Sequence, residues 1–293
     1  MACSGGADSM ALAAATVFES GAAGWLVRAI VVDHALQPES AAVAALVTSR
    51  LQALGLSEVD VVRVEVASHG SPEAAARAAR YDALEQAASA DDAVVLLGHT
   101  RDDQAETVLL GLARGSGTRS LAGMAPAQGR YRRPLLELGR AATQRMCEVL
   151  GIDVWDDPHN VDRRYTRVRV RHDALPALED ALGPGVAESL ARTATAARHD
   201  ADALDMLADE LYADACTDDG GLWVPALVGA PSALRRRVVR RAALEAGSPA
   251  GELFARHVDA VERLLTHWHG QAALDLSGGE RSTPRRRAAV RQR

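Results

Sequence analysis

Ser4-Gly5-Gly6-Ala7-Asp8-Ser9, followed at once by the apolar, helix-forming run Met10–Val17, is the stretch on which the reading of this chain turns. Two adjacent glycines let a loop backbone come within hydrogen-bonding distance of a ligand, because no Cβ stands in the way. Small polar side chains then sit where a helix begins. The first N–H groups of a helix lack internal partners and point outward with the positive end of its dipole. Such a place suits an anion, most of all a phosphate. A Walker loop would carry a lysine after its last glycine, and this chain contains no lysine at all. Taken alone, the six residues also fit a tight surface turn that does no more than cap a helix.

Working outward, Trp25–Val32 is a β-branched, apolar run of the kind found in buried parallel strands, and it ends at Asp33-His34. A helix is expected over Ser40–Leu54 and a strand over Val59–Val66. Ser71-Pro72-Glu73 then reads as an N-cap followed by a proline in the first turn. That helix runs to about Ala88 and carries Arg77, Arg80 and Tyr81 on one face, a trio that a solvated polar face would also explain. Strands alternating with helices predict an α/β fold with a parallel sheet, whose ligands lie beyond the carboxyl ends of the strands. Asp33 and His34 fall at that edge.

A further strand, Ala93–Leu97, delivers Gly98-His99-Thr100-Arg101-Asp102-Asp103-Gln104-Ala105-Glu106. Thr100 and Asp103 have the spacing of a capping box. It leaves Asp102 and Glu106 unexplained, four residues apart, with His99 close by. Carboxylates at the mouth of a sheet beside a polyphosphate loop are what Mg²⁺ requires, because that ion is held by one or two carboxylates together with phosphate oxygens.

The remainder is rich in arginine. Arg114-Gly115-Ser116-Gly117 is a flexible basic segment, and Arg163–Arg171 places five arginines and a tyrosine in nine residues. Such a segment offers charge for phosphates and planes for stacking on a base, and equally fits a solvated helix face. From Val186 apolar residues recur at steps of three and four as far as Ala215, which predicts one long amphipathic helix leading into an all-helical module. Arg235–Arg241 makes a second basic stripe there. With 293 residues two domains are expected, at 1–183 and 184–293, the second ending in an Arg-rich tail expected to be disordered. Met1–Cys3 is short for a strand feeding the loop, so a longer first strand is expected. Three scattered cysteines fit neither a disulfide framework nor a zinc site. No apolar run approaches the roughly 20 residues of a membrane span, and a cytoplasmic protein is expected. The net charge of −6 argues weakly against nucleic acid, but the clustering of arginines argues for local basic surfaces.

The order of these motifs resembles tRNA(Ile)-lysidine synthetase, a member of the PP-loop, N-type ATP pyrophosphatase family. The matching residues are Ser4–Ser9, Val32–Ser40, Glu73–Tyr81, Gly98–Glu106 with Arg114–Gly117, and Asp157-Pro158-His159-Asn160 through Arg171 and Pro176. The resemblance is dense over roughly the first 180 residues and weaker as far as Gly270-Gln271. It implies a PP-loop domain of the adenine nucleotide α-hydrolase-like type, followed by a smaller, mainly helical, tRNA-binding domain. It also implies an activity: ATP adenylates the 2-oxygen of the wobble cytidine of an isoleucine tRNA with a CAU anticodon, and the amine of free lysine then displaces AMP.

Carried onto this chain, the resemblance implies that Ser4, Gly5, Gly6, Ala7, Asp8 and Ser9 bind ATP with Asp33, His34 and Arg114, the pyrophosphate resting on Ser4, Gly5, Gly6 and Ser9. Asp8 and Asp102 would order Mg²⁺, and Asp8, Asp102, Asp103, Glu106 and His99 would serve the chemistry. Arg77, Arg80, Asn160, Arg167, Arg171, Arg235 and Arg236 would meet tRNA. A homodimer is left open. The chain departs from the family at Arg167-Val168-Arg169-Val170-Arg171, where Arg-Asn-x-Ile-Arg is usual, and in its Arg-rich end. Among rivals, a tRNA thiolase would bring paired cysteines, a glutamine-fed synthetase would need a further domain, and an inactive tRNA-binding module would bind without turnover.

Overall fold

A computed structural model of the chain describes residues 1–35, 39–64, 72–115, 117–217, 221–249, 252–267, 269–270, 274 and 290–291. The expected N-cap Ser71, the motif residues Leu36 to Pro38, Ser116, Gln271 and most of the Arg-rich tail lie outside them.

Three parallel strands, β1 (Ala2–Cys3), β2 (Arg28–Asp33) and β3 (Glu58–Arg63), lie in the order β1-β2-β3, with Cys3 opposite Val31 and Val31 opposite Val61. The helix α1 (Ala7–Ala23) follows the glycine loop. It stops at Gly24, whose left-handed backbone lets its N–H return to the Ser20 carbonyl. Helix α2 (Ser40–Ala53) joins β2 to β3. Met10, Ala13, Val47 and Leu51 are fully buried between these elements, and Cys147 and Met146 from further along the chain close the same cluster. Burying each large side chain of this kind contributes about 1.5–3 kcal/mol. That packing fixes where α1 begins, and so where its unpaired N–H groups point.

Helix α3 (Pro72–Ala90) and β4 (Val95–Leu96) come next. Leu84 and Ala88 of α3 pack over Ala2, Ile30, Val95 and Leu97, one apolar cluster that draws on β1, β2 and the β4 region. Beyond α4 (Arg101–Ala113) and the single turn α5 (Thr118–Leu121), the chain makes a hairpin of β5 (Ala127–Gln128) and β6 (Tyr131–Arg132) that turns at Gly129. β6 runs parallel to β4, and β5 runs antiparallel to β6. This antiparallel edge is a departure from the all-parallel expectation. Pairs of two-residue strands carry no periodic signal in the sequence.

Helix α6 (Arg140–Leu150) ends at the left-handed Gly151. The basic segment after it is helical: α7 (Thr166–Arg169), a π-helical turn over Val170–Ala174, and α8 (Leu175–Leu182). The long helix α9 (Val186–Ala215) follows as the spacing predicts. Two compact units divide near its middle, Met1–Ala196 and Ala197–Arg293. In the second, α10 (Val224–Val228), α11 (Ser232–Glu245) and α12 (Ala255–Thr266) enclose Leu227, Val238, Val239, Val258 and Leu265. There β7 (Leu222–Trp223) pairs with β8 (Val290–Arg291), so a short strand stands within the tail. No described helix is long and apolar enough to cross a membrane.

Candidate functional site

The loop is held open by its own backbone. Gly5 adopts φ +84°, and a Cβ there would collide with Val47 Cγ2, so only glycine fits. Its carbonyl accepts from Trp155 N–H at 2.9 Å. Ser9 Oγ donates to the Gly6 carbonyl at 2.9 Å and accepts from Ser4 N–H at 3.2 Å, with Ser4 Oγ at 3.3 Å. Gly6 caps α1 with no side-chain bond, which leaves the first N–H groups of a 17-residue helix facing outward. From the other side Gly98 presses on the loop, since a Cβ at that position would stand 3.0 Å from the Asp8 carbonyl oxygen and 3.2 Å from Ser9 Cα.

Next to the loop, at the carboxyl ends of β1 and β2, lies a cavity of about 330 Å³ walled by Ser4, Asp33, His34, Val47, Arg80 and Trp155 among others. Asp33 is buried, and its Oδ1 accepts from Ala35 N–H at 2.9 Å. Burial pushes its carboxyl upward, but the bonds from Ala35 and Ser40 and the Arg63 charge outweigh this and hold it below the usual range. His34 has a buried Nδ1 with no hydrogen-bond partner, and burial, followed by the Arg80 charge, lowers its pKa. Arg80 lines the same cavity, half-buried. Asn160 also reaches the cavity, and its carbonyl meets His172 Nε2 at 3.1 Å.

On the other side of the loop stands an acid and arginine cluster built on α4, α6 and α7. The capping box is present: Asp103 Oδ2 accepts from Thr100 N–H at 2.8 Å and from its hydroxyl at 3.0 Å. Glu106 is fully buried and accepts from Arg167 Nε at 2.8 Å, Arg171 Nε at 2.7 Å and Arg140 Nη2 at 3.3 Å. Asp103 also accepts from Arg140 at 3.0 Å and faces Arg171 at 3.4 Å. Asp8 accepts from the Thr143 hydroxyl and lies 3.6 Å from Arg140 Nε. Burial raises its pKa against those two partners. Asp102 Oδ2 takes the Arg140 backbone N–H at 2.7 Å, so it caps α6 from a neighbouring helix. Asp102 and Glu106, expected to project together, therefore have different surroundings. Four carboxylates meet three guanidiniums, leaving one net negative charge.

His99 feels charges from both sides, Asp103 of the cluster and Arg80 of the cavity wall. Its Nδ1 is buried without a partner. Burial, reinforced by the charges of Arg80, Arg133 and Arg77 against the opposing pull of Asp103, lowers its pKa to about 3. It is neutral at physiological pH and offers a lone pair.

Other expected residues have partners of their own. Arg114 donates to the Leu110 carbonyl of its own helix at 3.0 Å, and Arg77 sits over the Tyr81 ring at 4.9 Å. Arg235 pairs with Glu262 at 2.9 Å and Arg236 pairs with Asp259, so in the second unit both are engaged by α12. Arg140 and Thr143 belong to the site although no motif in the sequence marks them. A signal exists for Arg140, since a cation in the first turn of a helix opposes the dipole and implies acids nearby.

Among the described residues no three His, Cys, Asp or Glu side chains form a ready-made metal cage. Mg²⁺ needs none beside phosphates. Asp8 and Asp102, both at the α6 N-terminus beside the loop and within a cluster of net negative charge, are a chemically suitable donor pair.

Comparison with known proteins places these features in a family. Residues 1–178 match the PP-loop domain and residues 222–293 match the TilS substrate binding domain. The chain is 57% identical over 282 residues to tRNA(Ile)-lysidine synthase of Streptomyces coelicolor, covering 95% of this chain and 80% of that protein. It is 53% identical to tRNA(Ile)-lysidine synthase of Thermobifida fusca, covering 96% and 87% respectively. Among solved structures, the U34-tRNA thiolase NcsA from Methanococcus maripaludis with its [4Fe-4S] cluster aligns with a TM-score of 0.53 at 18% identity, over 66% of this chain and 70% of that one. This last likeness is one of fold.

Proposed function

Because this chain belongs to the tRNA(Ile)-lysidine synthase family, we infer that it is the ATP-dependent ligase that joins lysine to the wobble cytidine of an isoleucine tRNA through an adenylated cytidine, releasing pyrophosphate and AMP. The observation that carries the reading is the open N-terminus of α1 behind the Gly5-Gly6 loop, set between a cavity and an acid cluster. In this reading the N–H groups of Ala7, Asp8 and Ser9, with Ser4, receive the phosphates, and Asp33 and His34 line the space for the nucleoside. Neutralising the charge that develops on the departing pyrophosphate and aligning the attacking oxygen lower the barrier. Mg²⁺, held by Asp8 and Asp102, would supply charge neutralisation on the phosphates.

In the second step Asp102, Asp103 and Glu106, which together with Asp8 leave the cluster one net negative charge, draw the ammonium of free lysine. His99 is assigned to take its proton as the amine attacks, a role for which the imidazole must be uncharged. Arg80, Arg167 and Arg171 steady phosphates from the cavity and the cluster, with Arg114 as a further nucleotide ligand. Arg77, Asn160, Arg235 and Arg236 are assigned to the RNA. The division of labour is a catalytic region over 1–183 and a helical tRNA-binding region over 184–293, in an enzyme acting in the cytoplasm. The test is incorporation of labelled lysine into tRNA with ATP and Mg²⁺, each omitted in turn. Incorporation that needs all three is expected. AMP formation driven by another nucleophile would keep the loop chemistry and overturn lysine as substrate.

A further inference from the structure

A second concave surface lies in the first unit, separate from the 330 Å³ cavity. It is a groove of about 690 Å³ between α3 and the β5–β6 hairpin. Tyr81 and Tyr131 stand in it with ring centroids 5.2 Å apart and planes tilted by 60°. Arg77 is exposed beside them, its guanidinium 4.9 Å from the Tyr81 ring centre and its Nη2 3.3 Å from the Tyr81 hydroxyl. Arg133 lines the groove although only 6% exposed. Its Nη1 donates to the Ala125 carbonyl at 2.7 Å, but its Nε is buried with no partner. A buried guanidinium N–H without an acceptor costs free energy unless a ligand supplies one.

The groove's two acids, Glu85 and Asp92, are outnumbered by Arg77, Arg130 and Arg133, which leaves one net positive charge. Both oxygens of Glu85 are already engaged, by Arg130 Nε at 2.7 Å and by the Tyr131 hydroxyl at 3.0 Å. Aromatic faces beside guanidiniums that have no acid partner among the described residues fit a nucleotide: stacking holds the base and the cations hold its phosphate.

The groove runs along α3 from the amino ends of β4 and β6, where Asp92, Gly129 and Arg130 stand, toward the carboxyl end of β4. Arg133 follows directly on β6, which is paired with β4, the strand that delivers His99. The charges of Arg133 and Arg77 both act on His99. We propose that this groove receives the nucleotide next to the reacting cytidine in the substrate RNA, its base against Tyr81 and Tyr131 and its phosphate on Arg77 and Arg133. The proposal rests on the RNA-modifying function inferred above and adds to it a place for the strand to continue.

The experiment uses the full chain and an anticodon stem-loop RNA carrying 2-aminopurine beside the wobble cytidine. Binding quenches the fluorophore if it stacks on a tyrosine. Tyr81→Leu is expected to remove most of the quench and to weaken binding by about fivefold or more. Tyr81→Phe, which keeps the ring, should retain both, and this guards against a folding artefact. Arg77→Gln should reduce the slope of log affinity against log salt by about one unit. Wild-type quench and affinity in both Tyr81→Leu and Arg77→Gln would overturn the proposal. So would a dimer in sedimentation that Tyr81→Leu dissociates while RNA binding is unchanged, because the groove would then belong to a second copy. If the wild-type chain bound no RNA, the functional reading itself would fail. If it bound RNA and incorporated lysine while the variants behaved like it, only the groove would fail.

Discussion

Replacing Glu106 with glutamine tests whether the acid and arginine cluster is a structural keystone. The side chain is fully buried and accepts from three guanidiniums, at 2.7, 2.8 and 3.3 Å. Glutamine keeps the shape but loses the charge, and its amide N–H₂ must face an N–H donor. Removing one partner of a buried ion pair costs about 3–5 kcal/mol. Asp103 remains for Arg140 and Arg171, at 3.0 and 3.4 Å, and Arg167 keeps the Thr107 hydroxyl at 2.8 Å, so the lower end, about 3 kcal/mol, is expected. For a unit of this size 1 kcal/mol shifts Tm by about 2–4 °C, giving a fall of about 6–12 °C. Scanning calorimetry of Glu106→Gln, Arg167→Gln and the double variant would supply a cycle with a coupling of at least about 1 kcal/mol. A fall under about 2 °C together with zero coupling would refute the keystone argument.

Asp102→Ala should abolish tRNA-dependent exchange of pyrophosphate into ATP while leaving tRNA affinity nearly intact. Because Asp102 also caps α6, Asp102→Asn, which retains an acceptor oxygen, should lose the exchange with a smaller drop in Tm. Full exchange in either variant would remove Asp102 from the chemistry. Burial raises the Asp8 pKa in the folded state, so its charge opposes folding once pH exceeds the unfolded value. Asp8→Asn is therefore expected to raise Tm at pH 7 while ending turnover, the gain vanishing as acid protonates the wild-type carboxylate. A variant less stable than wild type at pH 7 would contradict this sign. Charge removal at Arg235 and Arg236 should flatten the salt dependence of tRNA binding by about one unit for each phosphate that is no longer neutralised. An unchanged slope would assign both side chains to the pairing with Glu262 and Asp259 alone.

Much of the frame is legible in the sequence because its signals are local. The glycine loop, the helix stops at Gly24 and Gly151, the capping box at Thr100 and Asp103, and the long periodic helix to Ala215 each declare themselves within a few residues. What cannot be read there depends on residues far apart in the chain. Glu106 meets Arg140, Arg167 and Arg171 across 34 to 65 positions, and Asp8 meets Thr143 across 135. No spacing rule encodes such partners, so in the sequence Glu106 resembles a free acid, and Arg140, at odds with the dipole of its own helix, implies acids nearby without naming them. The β5–β6 edge is hidden for another reason: two-residue strands are too short to show alternation, and what fixes them is pairing with β4.

The identity of the cations around the buried carboxylates has a chemical consequence. Every positive side chain in this protein other than histidine is an arginine, since the sequence has no lysine, and three of them surround Glu106. A primary amine held there would have a pKa set by its neighbours, and any unprotonated fraction would be a nucleophile within the enzyme, competing with the free amino acid for an activated cytidine. Guanidinium stays protonated throughout the physiological range. The clamp therefore supplies charge without supplying a rival amine, and the activated RNA is left for the incoming substrate to attack.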